Sequence, residues 1–302
     1  MRYRQLGTSG LHVSAIGLGT RLFGARTDAQ DCQRLLSGAV DAGVTLIDTA
    51  DVYGRGIGSG ECETIIGDWL SGSSTRREQV VLASKVGGPM GGTPNDAGLS
   101  ARHIRHSCEN SLRRLRTDHL DLYQIHQPDP KTSWEETWSE FERLIARGDV
   151  IYAGLSNMSA DQAMSAIDAA PAAVRRRIAC YQGEHHLGST DHSRAPDQFA
   201  RLGLGFLAYR PLGGGGLARP PGSQADHPQT TSDLAHRLAQ IASEHGQSAA
   251  RLAVDWLLAD PGVSSVLIGP RTPEQLADLL TGKGRPLNPE LLRQVNEARA
   301  AS

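Results

Sequence analysis

Short apolar runs alternate along the chain with longer segments in which apolar residues recur at every third or fourth position. Short runs are typical of buried strands, whereas the longer spacing is typical of helices with one buried face. The runs that predict strands are Ala15–Gly19, Val44–Asp48, Val80–Lys85, Leu120–His126, Val150–Ser156, Ile178–Gln182, Gly205–Tyr209 and Val263–Gly269. Eight strand–helix pairs in a chain of this length favour an α/β fold of the (β/α)8 or TIM barrel type over an open sheet.

The segments between the runs carry the signals of helix starts and ends. Ser133 with Glu136, and Ser159 with Gln162, have the spacing of a capping box, in which two side chains bond free N–H groups at the start of a helix. Gly148 follows one such segment, where a left-handed residue closes a helix. The pattern predicts, among others, helices over 100–115, 133–146, 159–170 and 288–300. The last follows the eighth pair, and we expect it to pack outside the barrel as an extra C-terminal helix.

Two segments fall outside this alternation. The pattern over Arg2–Val13 indicates an N-terminal hairpin that turns at Thr8–Gly10, and we expect it to cover the barrel floor. Residues 210–232 have no period and contain Gly213–Gly216. A structureless segment of that length in a compact domain is usually a lid or a binding loop. Since no repeat or linker divides the chain, residues 1–302 are expected to form a single domain.

Composition narrows the class of protein. Lys and Arg number 31 and Asp and Glu 33, so the formal charge is −2, which argues against nucleic acid or an anionic membrane as a partner. No run reaches about 18 apolar residues and the first residues lack the apolar stretch of a signal peptide, so we expect a cytoplasmic protein. The four cysteines lie far apart without a CxxC pair, which favours neither a zinc site nor a disulfide framework.

Polar side chains end several of the predicted strands, and the carboxyl ends of the strands form the active-site mouth of a (β/α)8 barrel. Asp48 ends the second run, Lys85 the third and His126 the fourth. Tyr53 lies five residues after Asp48. A phenol with a pKa of about 10 is a poor acid at neutral pH, and a neighbouring ammonium lowers that pKa. We therefore expect Tyr53 to be an acid tuned by Lys85. Asp48 would hold Lys85 charged, and His126 would orient a carbonyl oxygen.

Longer motifs around these residues resemble the aldo-keto reductase family over essentially the whole chain. Leu6–Leu11 and Ile16–Thr20 are similar to that family's hairpin and first strand. Leu46–Gly54, Ala83–Lys85 and Ser111–Asp129 resemble the segments that carry its catalytic aspartate and tyrosine, lysine and histidine. The resemblance implies a (β/α)8 fold and a nicotinamide cofactor bound without a Rossmann domain. It also implies a catalytic tetrad of Asp48, Tyr53, Lys85 and His126.

The resemblance carries over cofactor contacts residue by residue. Ser156, Asn157 and Gln182 match positions that hydrogen-bond the nicotinamide carboxamide in the family, and Tyr209 matches the ring that stacks on the nicotinamide. The implied cofactor-binding positions are Gly19, Thr20, Asp48, Ser156, Asn157, Gln182, Tyr209, Arg210, Leu212, Gly213, Gly269, Arg271 and Gln275.

Some positions bear on the choice of cofactor and ligands. Ile268–Gln275 resembles the family's adenosine-phosphate signature, so Arg271 is expected to bind a 2′-phosphate or to stack on adenine, which favours NADPH over a more weakly bound NADH.

Arg210 stands where many relatives have serine, which leaves its contact to pyrophosphate or substrate open. His185 and His186 are candidates to line the substrate mouth. A metal site there is disfavoured because adjacent residues of a strand point to opposite sides.

The sequence thus predicts NADPH-dependent reduction of an aldehyde or ketone, with a small carbonyl compound as partner. The alternatives are a keto-sugar enone reductase, an enzyme running chiefly as an alcohol dehydrogenase, and a nicotinamide-sensing protein with slow turnover. His126 counts against the first, because relatives that reduce enones can replace it with an acid. Specificity is expected to come from Leu22–Thr27, Gly87–Gly98, His185–His192 and 210–232, where few aromatic residues favour a polar or sugar-like substrate. The oligomeric state is left open.

Overall fold

Eight parallel strands close into a barrel in the computed structural model of the protein, which describes residues 1–56, 59–189, 195–218, 232–282, 284–285 and 287–301. Each strand pairs with the next along the chain, and the last pairs with the first. The strands are β1 (Tyr3–Gln5) and β2 (His12–Ser14) of a hairpin, and β3 (Ile16–Gly19), β4 (Leu46–Asp48), β5 (Val81–Val86), β6 (Leu120–Ile125), β7 (Val150–Ser156), β8 (Ile178–Glu184), β9 (Gly205–Tyr209) and β10 (Val263–Ile268) of the barrel. Each barrel strand coincides with one predicted run to within two residues at either end, so the predicted fold is confirmed.

Helices follow the strands and cover the barrel. They are α1 (Ala29–Asp41), α2 (Glu61–Ser71), α3 (Ala101–Leu115), α4 (Trp134–Arg147), α5 (Ala160–Ala169), α6 (Ala172–Arg175), α7 (Ala195–Arg201), α8 (Ser232–Glu244), α9 (Ala249–Ala259), α10 (Pro273–Leu280) and α11 (Pro289–Ala300). Ser159 and Gln162 form the predicted capping box at α5. Ser133 caps α4 as expected, but the Glu136 carboxylate accepts the backbone N–H of Ala101 at the start of α3. Glu136 thus joins the starts of two neighbouring helices.

The hairpin closes the amino-terminal end of the barrel, as predicted. Leu6 and Val13 are fully buried and belong to the apolar cluster that fills the barrel interior. The Arg4 guanidinium donates to the carbonyls of Leu258, at 2.6 Å, in the last turn of α9, and of Asp260, at 3.2 Å, just after that helix. Apolar burial and these charge-assisted bonds together fix the floor to the barrel wall.

The last helix packs outside the barrel, and the segment after β9 is described in part. Leu291 and Val295 of α11 belong to one buried apolar cluster with Leu238 of α8 and Leu252 of α9, so the predicted outer C-terminal helix is confirmed. Of the predicted loop, residues 210–218 are described and contain short 3₁₀ turns, whereas 219–231 lie outside the described residues. Among the described parts of the chain, no helix is long and apolar enough to cross a membrane.

Candidate active site

The closed parallel barrel brings the polar strand ends to one mouth. Lys85 on β5 is level with Gln124 on β6, and Ser156 on β7 is level with Gln182 on β8. Asp48 ends β4. Side chains from distant parts of the sequence therefore meet at the carboxyl ends of the strands, where (β/α)8 barrels build their active sites.

Lys85 is the centre of this cluster. Its side chain is fully buried, and its ammonium nitrogen Nζ lies 2.6 Å from Asp48 Oδ2, 2.8 Å from the carbonyl oxygen of Thr49 and 3.4 Å from the hydroxyl of Tyr53. An ammonium has three N–H donors, and each of these acceptors is oriented to take one. The desolvation of the buried charge is thus offset by an ion pair and by hydrogen bonds.

Asp48 is held from both sides. While Oδ2 faces Lys85, Oδ1 accepts hydrogen bonds from the amides of Gln124, at 2.9 Å, and Gln182, at 2.8 Å. Thr20 donates its hydroxyl to the backbone carbonyl of Asp48 at 3.0 Å. Lys85, Gln124 and Gln182 thus all donate to this buried carboxylate and fix its plane.

Tyr53 and His126 stand beside Lys85 at the mouth. Their rings meet edge to face with centroids 5.8 Å apart, and Lys85 Nζ lies 4.9 Å from the centroid of the Tyr53 ring. The backbone N–H of Tyr53 bonds the carbonyl of Ala50, which turns the chain after β4 so that the phenol points back over the barrel. The four side chains of the predicted tetrad are therefore brought together.

The pKa of Tyr53 shifts in the direction opposite to the one expected. Burial raises it, and the attraction of Lys85 for the phenolate offsets this only partly, with Asp48 adding to the rise. The expectation of a phenol that is unusually acidic in the resting protein is wrong, because it counted the charge of Lys85 and left out desolvation. Tyr53 consequently keeps its proton at neutral pH.

Lys85 and His126 have complementary protonation states. Burial disfavours the ammonium of Lys85, but Asp48 and Tyr53 outweigh burial and raise its pKa. Burial, with Lys85 and Arg21 adding to it, lowers the pKa of His126 to about 3. Near neutral pH the site therefore combines a charged lysine with a neutral imidazole, which can share a hydrogen bond but adds no charge.

A second network rims the mouth. The hydroxyl of Tyr209 donates to Asn157 Oδ1 at 2.8 Å, and Asn157 Nδ2 donates to the backbone carbonyl of His126 at 2.8 Å and to Ser156 Oγ at 3.0 Å. Asn157 adopts a left-handed backbone, with φ of 55°, that lets it bridge these groups. The network ties the Tyr209 ring to the strand that carries His126, so the ring is held as one wall of the mouth.

Arg210 is engaged at the same rim. Its guanidinium lies 3.1 Å from Glu184 Oε2, and the other oxygen of Glu184 lies 3.4 Å from Nε2 of His186. The backbone N–H of Gly213 bonds the Arg210 carbonyl. His185 is buried against Phe206, with ring centroids 5.7 Å apart, so the expectation that it lines the mouth is wrong.

The remaining predicted cofactor positions follow the strand ends in two groups. Gly19 ends β3, level with Asp48, and Leu212 and Gly213 open the glycine-rich turn after β9. Beyond Gly269, Arg271 and Gln275 lie at the start of α10, where the backbone N–H of Arg271 donates to the Gln275 amide oxygen at 2.9 Å. The side chains of both residues are exposed there.

Sequence comparison identifies the family of the chain. The sequence model of the Aldo/keto reductase family matches residues 15–300. The chain belongs to the aldo/keto reductase family. A curated relative, "Uncharacterized oxidoreductase YrpG" of Bacillus subtilis (strain 168), is 38% identical over 315 aligned positions, which cover 98% of this chain and 95% of the relative. This aldo/keto reductase is accordingly an oxidoreductase, and its family's general chemistry is carbonyl reduction with nicotinamide cofactors.

The contacts of two polar residues of this aldo/keto reductase were not predicted from the sequence. Gln124 bonds Asp48, and Glu184 holds Arg210. The sequence does contain an indication for Gln124. Every second residue of a strand points to the same face, so Leu122, Gln124 and His126 of the predicted strand Leu120–His126 share one face. Glu184 lies beyond the predicted end of β8, so its place at the rim depends on a strand longer than its apolar run.

Proposed function

We propose that this aldo/keto reductase reduces an aldehyde or ketone to the alcohol with NADPH, and that Tyr53 provides the proton. The observation that carries the proposal is the contact between the Tyr53 hydroxyl and the buried ammonium of Lys85, at 3.4 Å, with Asp48 2.6 Å behind that ammonium. A phenol beside a fixed positive charge can release a proton to a reacting oxygen and then remain as a stabilised phenolate.

The residues of the mouth fit a nicotinamide carboxamide. Both hydrogens of Gln182 Nε2 are used within the protein, on Asp48 Oδ1 and on Gln124 Oε1, so Gln182 can offer its oxygen to a ligand. Ser156 Oγ accepts a bond from Asn157 and can still donate its own hydrogen. One acceptor and one donor match the amide N–H and carbonyl of a carboxamide, and the Tyr209 ring beside them suits stacking.

The other end of the proposed groove suits a phosphate. Arg271 precedes α10, whose N-terminus is capped by Thr272. The helix dipole favours an anion at this point, and the exposed Arg271 guanidinium adds positive charge. We therefore assign the 2′-phosphate of NADPH to Arg271, and the glycine-rich turn at Gly213 to the pyrophosphate, which needs close approach of backbone N–H groups.

Each residue of the tetrad then has one task. When bound, the nicotinamide supplies hydride to the carbonyl carbon. Tyr53 donates its proton to the carbonyl oxygen, and Lys85 stabilises the phenolate that remains. Asp48 keeps Lys85 charged and in place. His126, neutral at physiological pH, shares a hydrogen bond with the carbonyl oxygen and orients it toward Tyr53.

Turnover separates this proposal from a nicotinamide-sensing protein. NADPH oxidation is followed at 340 nm, the usual absorbance band of the reduced cofactor, with 4-nitrobenzaldehyde and methylglyoxal as probes, while NADPH affinity is measured by fluorescence titration. We expect saturable turnover on the order of 1 s⁻¹ or faster with one or both carbonyl compounds. Tight binding of NADPH with turnover indistinguishable from a protein-free blank, for these and further carbonyl compounds, would instead identify a sensor.

A further inference from the structure

A buried glutamine lies beneath the tetrad inside the barrel. Gln124 is fully buried on β6, two residues before His126 and level with Lys85 on the neighbouring strand. Burying an amide costs free energy unless its donors and acceptor are bonded, so an apolar residue would be the simpler filling for a barrel interior. The amide of Gln124 is therefore expected to do more than fill the barrel interior.

Those bonds connect Gln124 with two residues of the proposed site. Its Nε2 donates to Asp48 Oδ1 at 2.9 Å, and its Oε1 accepts from Gln182 Nε2 at 3.1 Å. Gln182 Nε2 also donates to Asp48 Oδ1 at 2.8 Å. The three side chains form a closed triangle in which both amides have only one workable orientation, because an ionised carboxylate can only accept hydrogen bonds.

The neighbouring strand provides space for the triangle. A Cβ atom built on Gly154 of β7 would lie 2.8 Å from Gln124 Cγ and 2.8 Å from Cys180 Sγ, closer than side chains pack. Gly154 is also level with Gln124 in the barrel register. The absence of a side chain at this point is thus matched to the glutamine beside it.

We propose that Gln124 is a positioning residue for the reaction. It fixes the amide plane of Gln182, so that Gln182 presents only its oxygen to the nicotinamide carboxamide, and it supplies one of the three side-chain hydrogen bonds that hold the Asp48 carboxylate in place behind Lys85. The inference rests on the proposed function, since it assumes a carboxamide at Gln182 and proton transfer through the tetrad. Gln124 itself touches neither cofactor nor substrate.

The test uses Gln124→Met, which keeps the length and volume of the side chain but removes its hydrogen-bonding amide. Leu122→Met, on the same inner face of β6, is the packing control. NADP⁺ affinity is measured for wild type, both variants, Gln182→Met and the Gln124→Met/Gln182→Met double variant. We expect Gln124→Met to weaken NADP⁺ about 5–20-fold and Leu122→Met less than about twofold. In the Gln182→Met background the same Gln124 change should alter affinity less than about twofold, because the residue through which it acts is gone.

Steady-state kinetics give a second readout. Because Gln124 also orients the Asp48 carboxylate behind Lys85, kcat at saturating NADPH should fall about 3–10-fold in Gln124→Met and less than about twofold in Leu122→Met. A Gln124→Met enzyme matching Leu122→Met in affinity and kcat, or an undiminished affinity loss in the Gln182→Met background, would overturn the positioning role alone. A wild type that binds no nicotinamide dinucleotide would overturn the proposed function together with it.

Discussion

A buried ammonium such as that of Lys85 is stable only where its surroundings supply charge and acceptors. Asp48, Thr49 and Tyr53 supply both, and Asp48 and Tyr53 together raise the pKa of Lys85 in spite of burial. The same burial raises the pKa of Tyr53. The resting site is thus a protonated phenol next to a fixed cation, and in the proposed reaction Lys85 would act mainly once the proton has left.

The lowered pKa of His126 predicts how the free energy of unfolding depends on pH. Its folded pKa of about 3 lies below the ordinary value of 6.5, so between these values the unfolded chain binds the proton first and stability falls as pH falls. At pH 5 the loss relative to pH 7 is about 1–2 kcal/mol. Urea unfolding at both pH values should show this loss in wild type and a smaller one in His126→Gln. His106→Gln, on the exposed face of α3, should behave as wild type; equal acid sensitivity in both variants contradicts the buried neutral imidazole.

Arg271 predicts the choice between the two nicotinamide cofactors. Since a guanidinium–phosphate pair is charge-assisted, Arg271→Ala should raise the KM for NADPH about 10–100-fold and that for NADH less than about threefold. Steady-state kinetics with each cofactor measures both values. Arg102→Ala, an exposed arginine of α3, serves as the control for a general change in surface charge. Equal losses for NADPH and NADH would discard the 2′-phosphate assignment.

Burial of the strands explains how much of the fold could be predicted from the sequence. Barrel strands are covered on both faces, so they appear in the sequence as continuous apolar runs bounded by polar residues. The polar ends Asp48, Lys85 and His126 could be assigned to the mouth for the same reason. Other features depend on neighbours that only the closed structure brings together. They are the orientation of Gln124, the link from Glu136 to α3 and the burial of His185.

The hairpin floor predicts a sharp difference between two glycines. Gly7 has φ of 59°, and a Cβ there would lie 2.4 Å from the Gly203 carbonyl oxygen, whereas a Cβ on Gly10 would meet its nearest atom at 3.9 Å. Gly7→Ala should therefore lower the free energy of unfolding by at least about 2 kcal/mol, and Gly10→Ala by less than about 0.5 kcal/mol. Chemical denaturation of both variants measures this. Similar small changes in the two would show that the hairpin is not held tightly against the barrel.

At the scale of the whole molecule, closure of the barrel creates the site. The three side chains that bond Asp48 come from positions 37, 76 and 134 residues further along the chain. No local segment contains the arrangement, and the register of all eight strands has to be correct for these contacts to form. Stability of the barrel and order in the site are therefore coupled, and site variants need a folding control such as the melting temperature.

The proposed role of Tyr53 as the proton donor can be tested with the variant Tyr53→Phe. Removing one hydroxyl leaves the ring against His126 and the proposed cofactor contacts in place. We predict that kcat for carbonyl reduction with NADPH falls at least about 100-fold, while the Kd for NADPH changes less than about threefold. If Tyr53→Phe reduces the same substrate at the wild-type rate, another group provides the proton and the role proposed for Tyr53 is wrong.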